Sequence, residues 1–285
     1  MKNYDDNTIK KLEIIAVKIR KNIIDMLYRA SSGHPGGSLS SVEGLVALYF
    51  HHMNHNPKKP NDIDRDRFIL SKGHAAPALY AILAESGYFS YKELKNLRNM
   101  NCMLQGHPAC LCTPGIEAST GSLGHGLSFA IGVALAAKLD KKNYRTYVML
   151  GDGETNEGQI WEAAAAASHY KLNNITAFID RNFLQIDGNT EKIMRLESIV
   201  DRWSSFGWKV IDIDGHNIKK ILDALDKADN NYKSPTMIIL NTIKGKGVSF
   251  MENNVDFHGV PPNEMEYNLA IEELDILQKK LEASQ

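Results

Sequence analysis

The residue types best suited to bind a charged ligand lie where two apolar segments end. One apolar segment runs into Gly151-Asp152-Gly153, and another is followed by Asn182, 30 residues after Asp152. In open parallel sheets, ligands bind at the carboxyl ends of the strands. Carboxylate and amide oxygens suit Mg²⁺ or Ca²⁺, and the start of a following helix favours phosphate. The pair predicts a metal and diphosphate site, although Gly-Asp-Gly alone also fits a simple tight turn.

The surrounding pattern alternates between strands and helices. Residues 66–74 read as a short strand that ends in a Gly-His turn, and the other predicted strands are 145–150, 175–180, 208–213 and 236–242. Helices are predicted between the later strands, at 157–170, 195–205 and 217–229. Apolar strands separated by helices are typical of an α/β fold, with a mostly parallel sheet and helices on both faces. Adjacent strands would then bring Asp152 and Asn182 to one edge of the sheet.

Further helices are predicted outside this alternating region. They cover 8–30, 40–54, 76–87, 91–99 and 126–138, and a last helix runs toward Gln285. Glycine and proline in residues 31–38 should end the first helix. Residues 100–122 form an unusually long loop, which in a compact domain is typical of a functional or disordered segment. Asn263 and Glu266 can form a capping box for the last helix. We expect residues 1–285 to form one domain.

Composition and charge exclude several classes of partner. The chain has 285 residues, of which 43% are hydrophobic, a formal net charge of −1 and a pI near 6.8. Without a basic field, nucleic acid and anionic membranes are poor partners. The N-terminal residues have no apolar run of signal-peptide length, and no apolar stretch is long enough to span a bilayer. We expect a cytoplasmic protein.

The three cysteines allow two interpretations. An odd and sparse set, Cys102, Cys110 and Cys112, argues against a disulfide framework and suits a reducing cytosol. Together with His107 they would also make a Cys₃His zinc site. Structural zinc sites usually contain C-x₂₋₄-C spacing, and the nearest pair here is C-x-C, so we favour free thiols.

The metal and diphosphate motif resembles that of thiamine diphosphate enzymes, and five further segments resemble transketolase in particular. The match covers nearly the whole chain. The segments are SSGHPGG with His34, SKGHA with His74, QGHP with His107, STGSLGHG over 119–126, and DFHGVPP with His258.

The resemblance implies roles for residues of the cofactor site. It implies that Asp152, Asn182 and the Leu184 carbonyl ligate Mg²⁺, for which Ca²⁺ or Mn²⁺ could substitute. The diphosphate would be bound by Gly153, His74, His258 and Lys244. Backbone groups of Gly121 and Leu123 would contact the aminopyrimidine ring, and Ile186 would pack against the thiazolium.

The resemblance also implies the reaction and an interface. His34, His107 and His258 would face the sugar, where histidines can exchange protons near neutral pH. The activity would be transfer of a two-carbon ketol unit from a ketose phosphate to an aldose phosphate, as in the pentose phosphate pathway. Glu157 and Glu162 would lie at a subunit interface.

The resemblance finally implies a partner. In the family, a glutamate from a pyrimidine-binding domain activates the cofactor, and this domain follows the present one. The sequence stops at Gln285. We therefore expect the pyrimidine-binding and C-terminal domains on a separate chain, a C-terminal transketolase subunit, in an α₂β₂ heterotetramer.

Three alternatives remain open at this point. The chain could be the α-type subunit of another thiamine diphosphate enzyme, a 2-oxo acid dehydrogenase, which shares the Asp152 and Asn182 motif. It could be a transketolase for a modified sugar, sulfonated or branched. It could also be a non-catalytic binding module, although the intact set of expected ligands argues against lost activity.

Overall fold

A five-stranded parallel sheet forms the centre of the protein in a computed structural model, which describes residues 4–283. The strands are ordered β1-β2-β3-β7-β6, and every neighbouring pair is parallel. Two-residue strands β4 and β5 form a separate antiparallel pair. The bounds are β1 Arg67–Leu70, β2 Thr146–Gly151, β3 Ile175–Arg181, β4 Leu184–Gln185, β5 Gly188–Asn189, β6 Lys209–Asp214 and β7 Thr236–Asn241.

Helices cover both faces of the sheet, so the predicted α/β fold is confirmed. One hydrophobic core lies under α1 to α4 and α9, and a second lies under α5, α6 and α8. Every residue of β3 is buried, as expected for a central parallel strand. The bounds are α1 Asp6–Ala30, α2 Pro35–Ser40, α3 Val42–Ala47, α4 Ala76–Ser86, α5 His125–Leu139, α6 Gly158–His169, α7 Thr190–Ile193, α8 Ile199–Ser205, α9 Ile218–Asp229 and α10 Glu264–Ala283.

The glycine-rich segment after α1 differs from the sequence-based expectation. The first helix ends where expected, but a new helix begins at Pro35, earlier than the predicted start at residue 40. Proline is well suited to the first position of a helix. The glycine that follows allows a close approach, because a Cβ on Gly36 would lie 2.9 Å from Cγ of Lys244. The segment therefore starts a helix packed against the loop after β7.

Other helix boundaries shift by smaller amounts. The helix predicted at 91–99 is a 3₁₀ helix, Tyr91–Asn96, and the one predicted at 195–205 starts at Ile199. The capping box is confirmed, because Asn263 and Glu266 each accept a hydrogen bond from the other's backbone N–H. Residues 284 and 285, the end of that predicted helix, lie outside the described residues. None of the helices within 4–283 is long and apolar enough to span a bilayer.

Two glycines of α5 give a matched test of this packing. Gly126→Ala is expected to destabilise the chain by about 1–3 kcal/mol, because the added methyl would overpack the helix against β1. Its Cβ would lie only 2.5 Å from Cβ of Ser71. Gly132→Ala has open space around it and should stabilise the chain by about 0.5–1 kcal/mol through helix propensity. Denaturant unfolding followed by circular dichroism would measure both, and equal effects would contradict this packing.

Candidate active site

The predicted metal ligands come together at the carboxyl edge of the sheet. Strands β2 and β3 are adjacent, with Gly151 opposite Asp180, so the residues that follow them are neighbours. Asp152, Asn182 and Leu184 line the same cavity. The side-chain oxygen of Asn182 accepts a 3.2 Å hydrogen bond from the Leu184 N–H, which ties these two residues to one turn. The sequence-based expectation that the strand ends meet is confirmed by this register.

The carboxylate of Asp152 is held in place by backbone donors. It accepts hydrogen bonds from the N–H groups of Gly153, at 2.8 Å, and Phe183, at 2.7 Å. Burial, and then the nearby charge of Asp180, raise the pKa of Asp152 to about 6. A cation beside the carboxylate would favour its ionised form. The site is therefore built to gain from a bound positive charge.

A metal held by protein side chains alone is not supported. Within residues 4–283, no group of three histidine, cysteine, aspartate or glutamate side chains is placed to hold a metal ion. Cys102, Cys110 and Cys112 are free thiols and form no such group with His107. The carboxyl-edge set offers one carboxylate, one amide and one carbonyl, so a Mg²⁺ there would need further oxygens from a phosphate group and water.

A cavity of about 400 Å³ opens above this edge. That volume is within the usual range for small-molecule sites. Most of the residues singled out from the sequence line it. They are His34, His74, Gly121, Leu123, Asp152, Gly153, Asn182, Leu184, Ile186, Lys244 and His258.

Lys244 gives the cavity a buried positive charge. Its ammonium donates to the Leu184 carbonyl at 2.9 Å and lies 2.7 Å from Nδ1 of His258, and neither of these groups is anionic. Burial, and then the charge of Lys72, lower the pKa of Lys244 to about 8. A buried ammonium with neutral partners is stabilised by an anion. These residues therefore fit a diphosphate.

Three histidines form a triangle beside Lys244. The ring centroids of His34, His74 and His258 lie 5.3 to 5.6 Å apart. Burial is the main cause of the lowered pKa values of all three. It lowers the pKa of His34 to about 4 and that of His258 to about 3, and it holds the pKa of His74 well below its usual value. All three are neutral at pH 7, and Nδ1 of His34 is buried without a hydrogen-bond partner among the described residues. Neutral imidazoles can donate to and accept from ligand hydroxyls.

The remaining predicted residues lie at the rim or outside the cavity. His107 is exposed and packs beside Gly121, where an added Cβ would lie 3.1 Å from its ring. Ile186 is 69% exposed at the cavity mouth, as expected for a side chain that packs against a ligand ring. Glu157 and Glu162 are exposed near the start of α6 and do not line the cavity.

Beneath the cavity lies a buried ion pair that sequence reasoning missed. Asp180 is fully buried and accepts hydrogen bonds from Lys72, Ser40, Thr242 and Asn182. Burial alone would raise the pKa of this carboxyl, but the charge and hydrogen bonds of its donors lower it. The only local signal was the position of Lys72 within SKGHA and of Asp180 at a strand end. That these two residues form a pair could be seen only in the folded structure.

Glu154 has a structural role that the sequence also did not reveal. Its buried carboxylate accepts from the N–H groups of Gly151, at 2.9 Å, and Gly124, at 2.8 Å, and from the hydroxyl of Ser71. Burial raises its pKa, and these three donors oppose that rise. The residue joins the loops that follow β1 and β2 to the loop before α5.

His216 fastens the segment that carries Lys244. It lies two residues before α9, which was predicted at 217–229 and starts at Ile218. Nε2 of His216 accepts a 2.8 Å hydrogen bond from the N–H of Ile243, and Nδ1 lies 3.0 Å from Glu43. Because Nε2 is the acceptor, Nδ1 carries the proton and donates to the carboxylate. This pairing fixes the backbone beside Lys244.

Fold and site together define an α/β protein with a small-molecule cavity at the carboxyl edge of its sheet, lined by groups that fit a phosphorylated ligand. The family described as "Transketolase, thiamine diphosphate binding domain" matches residues 11–281. The chain therefore belongs to the transketolase family, as expected from its motifs. This result also decides against the 2-oxo acid dehydrogenase alternative.

Two relatives match almost end to end. An apulose-4-phosphate transketolase subunit of Phocaeicola vulgatus is 45% identical over 274 residues, which cover 96% of this chain and 97% of the relative. The 6-deoxy-6-sulfo-D-fructose transketolase subunit SqwG of a Clostridium species is 46% identical over 257 residues, covering 90% and 94%.

Solved transketolases share the fold. The transketolase of Pichia stipitis in complex with sedoheptulose 7-phosphate aligns with a TM-score of 0.84 and 31% identity. The alignment covers 96% of this chain but only 46% of that transketolase. The chain thus spans somewhat less than half of this solved relative.

The buried His34 should make folding stability depend on pH. The unfolded chain binds a proton near pH 6.5, whereas folded His34 does so only near pH 4. The unfolded state therefore takes up more protons in this window, and stability should fall as the pH drops from 6.5 to 4. His34→Asn should make this slope shallower in urea unfolding at several pH values. Equal flattening by His169→Asn, which lies outside the cavity, would contradict this assignment.

Proposed function

We propose that this chain is the N-terminal subunit of a two-chain transketolase, and that it binds the metal and diphosphate of thiamine diphosphate. The observation that carries the proposal is the meeting of Asp152, Asn182 and Leu184 under a cavity that contains the buried ammonium of Lys244. Family membership supports the identity of the cofactor. Residues 1–285 would form its diphosphate-binding domain, with the pyrimidine-binding and C-terminal domains on another chain.

The metal would be held by hard oxygens. The Asp152 carboxylate, the Asn182 amide and the Leu184 carbonyl are the ligand types that Mg²⁺ prefers, and Ca²⁺ or Mn²⁺ could take the same place. Lys244 donates to the Leu184 carbonyl, so it would have to turn toward the diphosphate when this carbonyl binds a metal. That movement would bring its ammonium next to the diphosphate.

The rest of the cofactor would be bound by backbone groups and histidines. Gly153 and the imidazoles of His74 and His258 line the cavity beside Lys244 and would bind the diphosphate. Gly121, with φ +148°, and Leu123 present the loop before α5 to the cavity, although the Leu123 carbonyl already accepts from Gln159. Bound thiamine diphosphate supplies the electron sink for carbon–carbon cleavage.

The sugar would meet the neutral imidazoles. His34 and His258 lie in the cavity and His107 at its rim, so they can bond hydroxyls and move protons between oxygens of the donor. Arg98 adds a positive charge near His34 and His107, where it contributes to lowering their pKa values.

A partner would complete the site. Glu154 is the one glutamate that lines the cavity within residues 4–283, and its carboxylate already accepts from three donors. A glutamate free to act on the pyrimidine ring would therefore come from another chain. Two relatives of similar length are named as transketolase subunits, which supports this arrangement.

The assembly would be a heterotetramer with two copies of each chain. The exposed face of α5 and the start of α6 offer Phe129, which is 46% exposed, together with Gly132, Glu157 and Glu162. Large exposed apolar side chains beside small residues suit a protein interface.

The protein would work in the cytoplasm. Its three free cysteines, Cys102, Cys110 and Cys112, suit a reducing compartment.

A transketolase for a modified sugar is the second candidate. It is favoured by the two relatives named for apulose 4-phosphate and 6-deoxy-6-sulfo-D-fructose. Turnover of these two ketoses by the assembled enzyme, compared with turnover of xylulose 5-phosphate, would discriminate. A higher kcat/KM for xylulose 5-phosphate than for either would favour an ordinary transketolase.

Asp152→Ala should abolish Mg²⁺-dependent binding of thiamine diphosphate, because it removes the only carboxylate of the proposed ligand set. Calorimetry on the assembled enzyme, with and without Mg²⁺, would measure the loss. Asp212→Ala, an exposed carboxylate at the far strand β6, serves as the matched control and should bind normally. Unchanged affinity in Asp152→Ala would refute the ligand assignment.

The isolated chain should show no ketol transfer, because the one cavity glutamate within residues 4–283, Glu154, is already bonded to three donors. Adding the partner subunit should restore turnover in proportion to complex formation. A coupled assay with xylulose 5-phosphate and ribose 5-phosphate, run alongside sedimentation analysis, would test this. Substantial turnover by the pure chain alone would contradict the two-chain proposal.

A further inference from the structure

Arg181, the last residue of β3, is buried beside a proposed metal ligand. Only 1% of it is exposed, and arginine is almost never fully buried unless it is paired. Its guanidinium bonds Glu191 at 2.9 Å and Glu197 at 2.6 Å, and it donates to the hydroxyl of Thr190 at 3.2 Å. On its other side, Asp152 lies at 3.7 Å. The function proposed above gives none of these residues except Asp152 a role.

The three residues that hydrogen-bond Arg181, Thr190, Glu191 and Glu197, all lie on one segment, residues 183–197, which has little regular structure. Its regular structure consists of the two-residue strands β4 and β5 and the four-residue helix α7. Ile186, Ile193 and Met194 are 46% to 69% exposed. Segments with few buried apolar contacts open locally at low free-energy cost. The segment nevertheless carries Leu184 and Ile186, so its folded fraction matters for ligand binding.

Arg181 joins this segment to the sheet at several points. The guanidinium lies 4.2 Å from the ring centroid of Phe183, which begins the segment. Glu191 and Glu197 are bound near its far end, and Glu191 also accepts the N–H of Leu196. One buried side chain thus contacts both ends of the segment.

The two glutamates compete with Asp152 for the positive charge of Arg181. The glutamates contact its guanidinium at 2.9 Å and 2.6 Å, whereas Asp152 lies at 3.7 Å. A charge-assisted bond of normal length is far stronger than a contact at 3.7 Å. The glutamates therefore hold the cation away from Asp152, whose carboxylate stays available to another cation.

We propose that Arg181, Glu191 and Glu197 form a positioning clamp that keeps residues 183–197 folded before any ligand binds and keeps the guanidinium off Asp152. The clamp preforms the set of Asp152, Asn182 and the Leu184 carbonyl. The identity of the ligand rests on the proposed function, whereas the existence of the clamp does not.

The clamp links two measurable quantities. A ligand that needs the folded segment binds with an apparent affinity reduced by the folded fraction, so a segment folded in about one-tenth of molecules binds about tenfold more weakly. Hydrogen exchange of its backbone amides reports the same opening without any ligand. Loss of the clamp should change both quantities, and the freed guanidinium should lower metal affinity further.

The test uses the double variant Glu191→Gln, Glu197→Gln, because truncating the buried Arg181 could unfold the chain. Both glutamates are partly exposed, with side-chain exposures of 27% and 42%. Glu85→Gln is the matched control, since it breaks the ion pair between α4 and Lys18. In the ligand-free full chain, amides of 183–197 should exchange about tenfold faster or more in the double variant than in wild type or control. Unchanged exchange would overturn the clamp.

Calorimetry on the enzyme assembled with its partner gives the second readout. The dissociation constant for thiamine diphosphate with Mg²⁺ should rise about tenfold in the double variant, while kcat at saturating cofactor falls less than about twofold. Faster exchange with unchanged affinity would overturn the positioning role. If wild type itself binds no thiamine diphosphate, the proposed function fails, and the exchange measurement alone decides whether the clamp exists.

Discussion

The buried ion pair between Lys72 and Asp180 is the interaction on which the site depends. Its carboxylate also accepts from Ser40, Thr242 and Asn182, while the ammonium donates to the Gly37 carbonyl. These donors come from α2 and from the residues after β1, β3 and β7. Each of these segments also carries a cavity residue. A buried pair gains little unless its remaining polar atoms are bonded. Asp180 meets that condition only when all four segments are in place, so the pair makes the positions of the cavity residues interdependent.

The electrostatics of the cavity follow from this arrangement. Lys72 is neutralised by Asp180, whereas the ammonium of Lys244 contacts only the Leu184 carbonyl and His258. The carboxylate of Asp152 is crowded by Asp180, which contributes to raising its pKa to about 6. A positive group without an anionic partner and a crowded negative group therefore line one small cavity. A metal–diphosphate pair has the complementary arrangement, and binding it would relieve both penalties.

Sequence patterns predicted local features such as strand ends and turns, whereas contacts between residues far apart in the sequence could be seen only in the fold. The strand ends at Asp152 and Asn182 were predictable because apolar runs and glycine turns are local signals. The start of α2 at Pro35 was missed, although proline at the first helical position is a local signal, because the flanking glycines indicated a turn. Lys72 and Asp180 are 108 residues apart, and no periodicity links them. The roles of Leu184, Ile186 and the histidines came from family resemblance, and the structure adds that most of them share a cavity.

The open side of the cavity supports the second chain of the proposed function. The metal and diphosphate end is enclosed by backbone, buried charge and neutral imidazoles, so it can hold an anion firmly. The opposite end is different: Ile186 is largely exposed, His107 is exposed, and the buried carboxylate of Glu154 already accepts from three donors. The proposed chemistry would require a dry site. Excluding water strengthens the electrostatic interactions in the site and protects reactive species from side reactions. Under the proposed function, a partner surface that covers Ile186 and adds one carboxylate would supply both requirements.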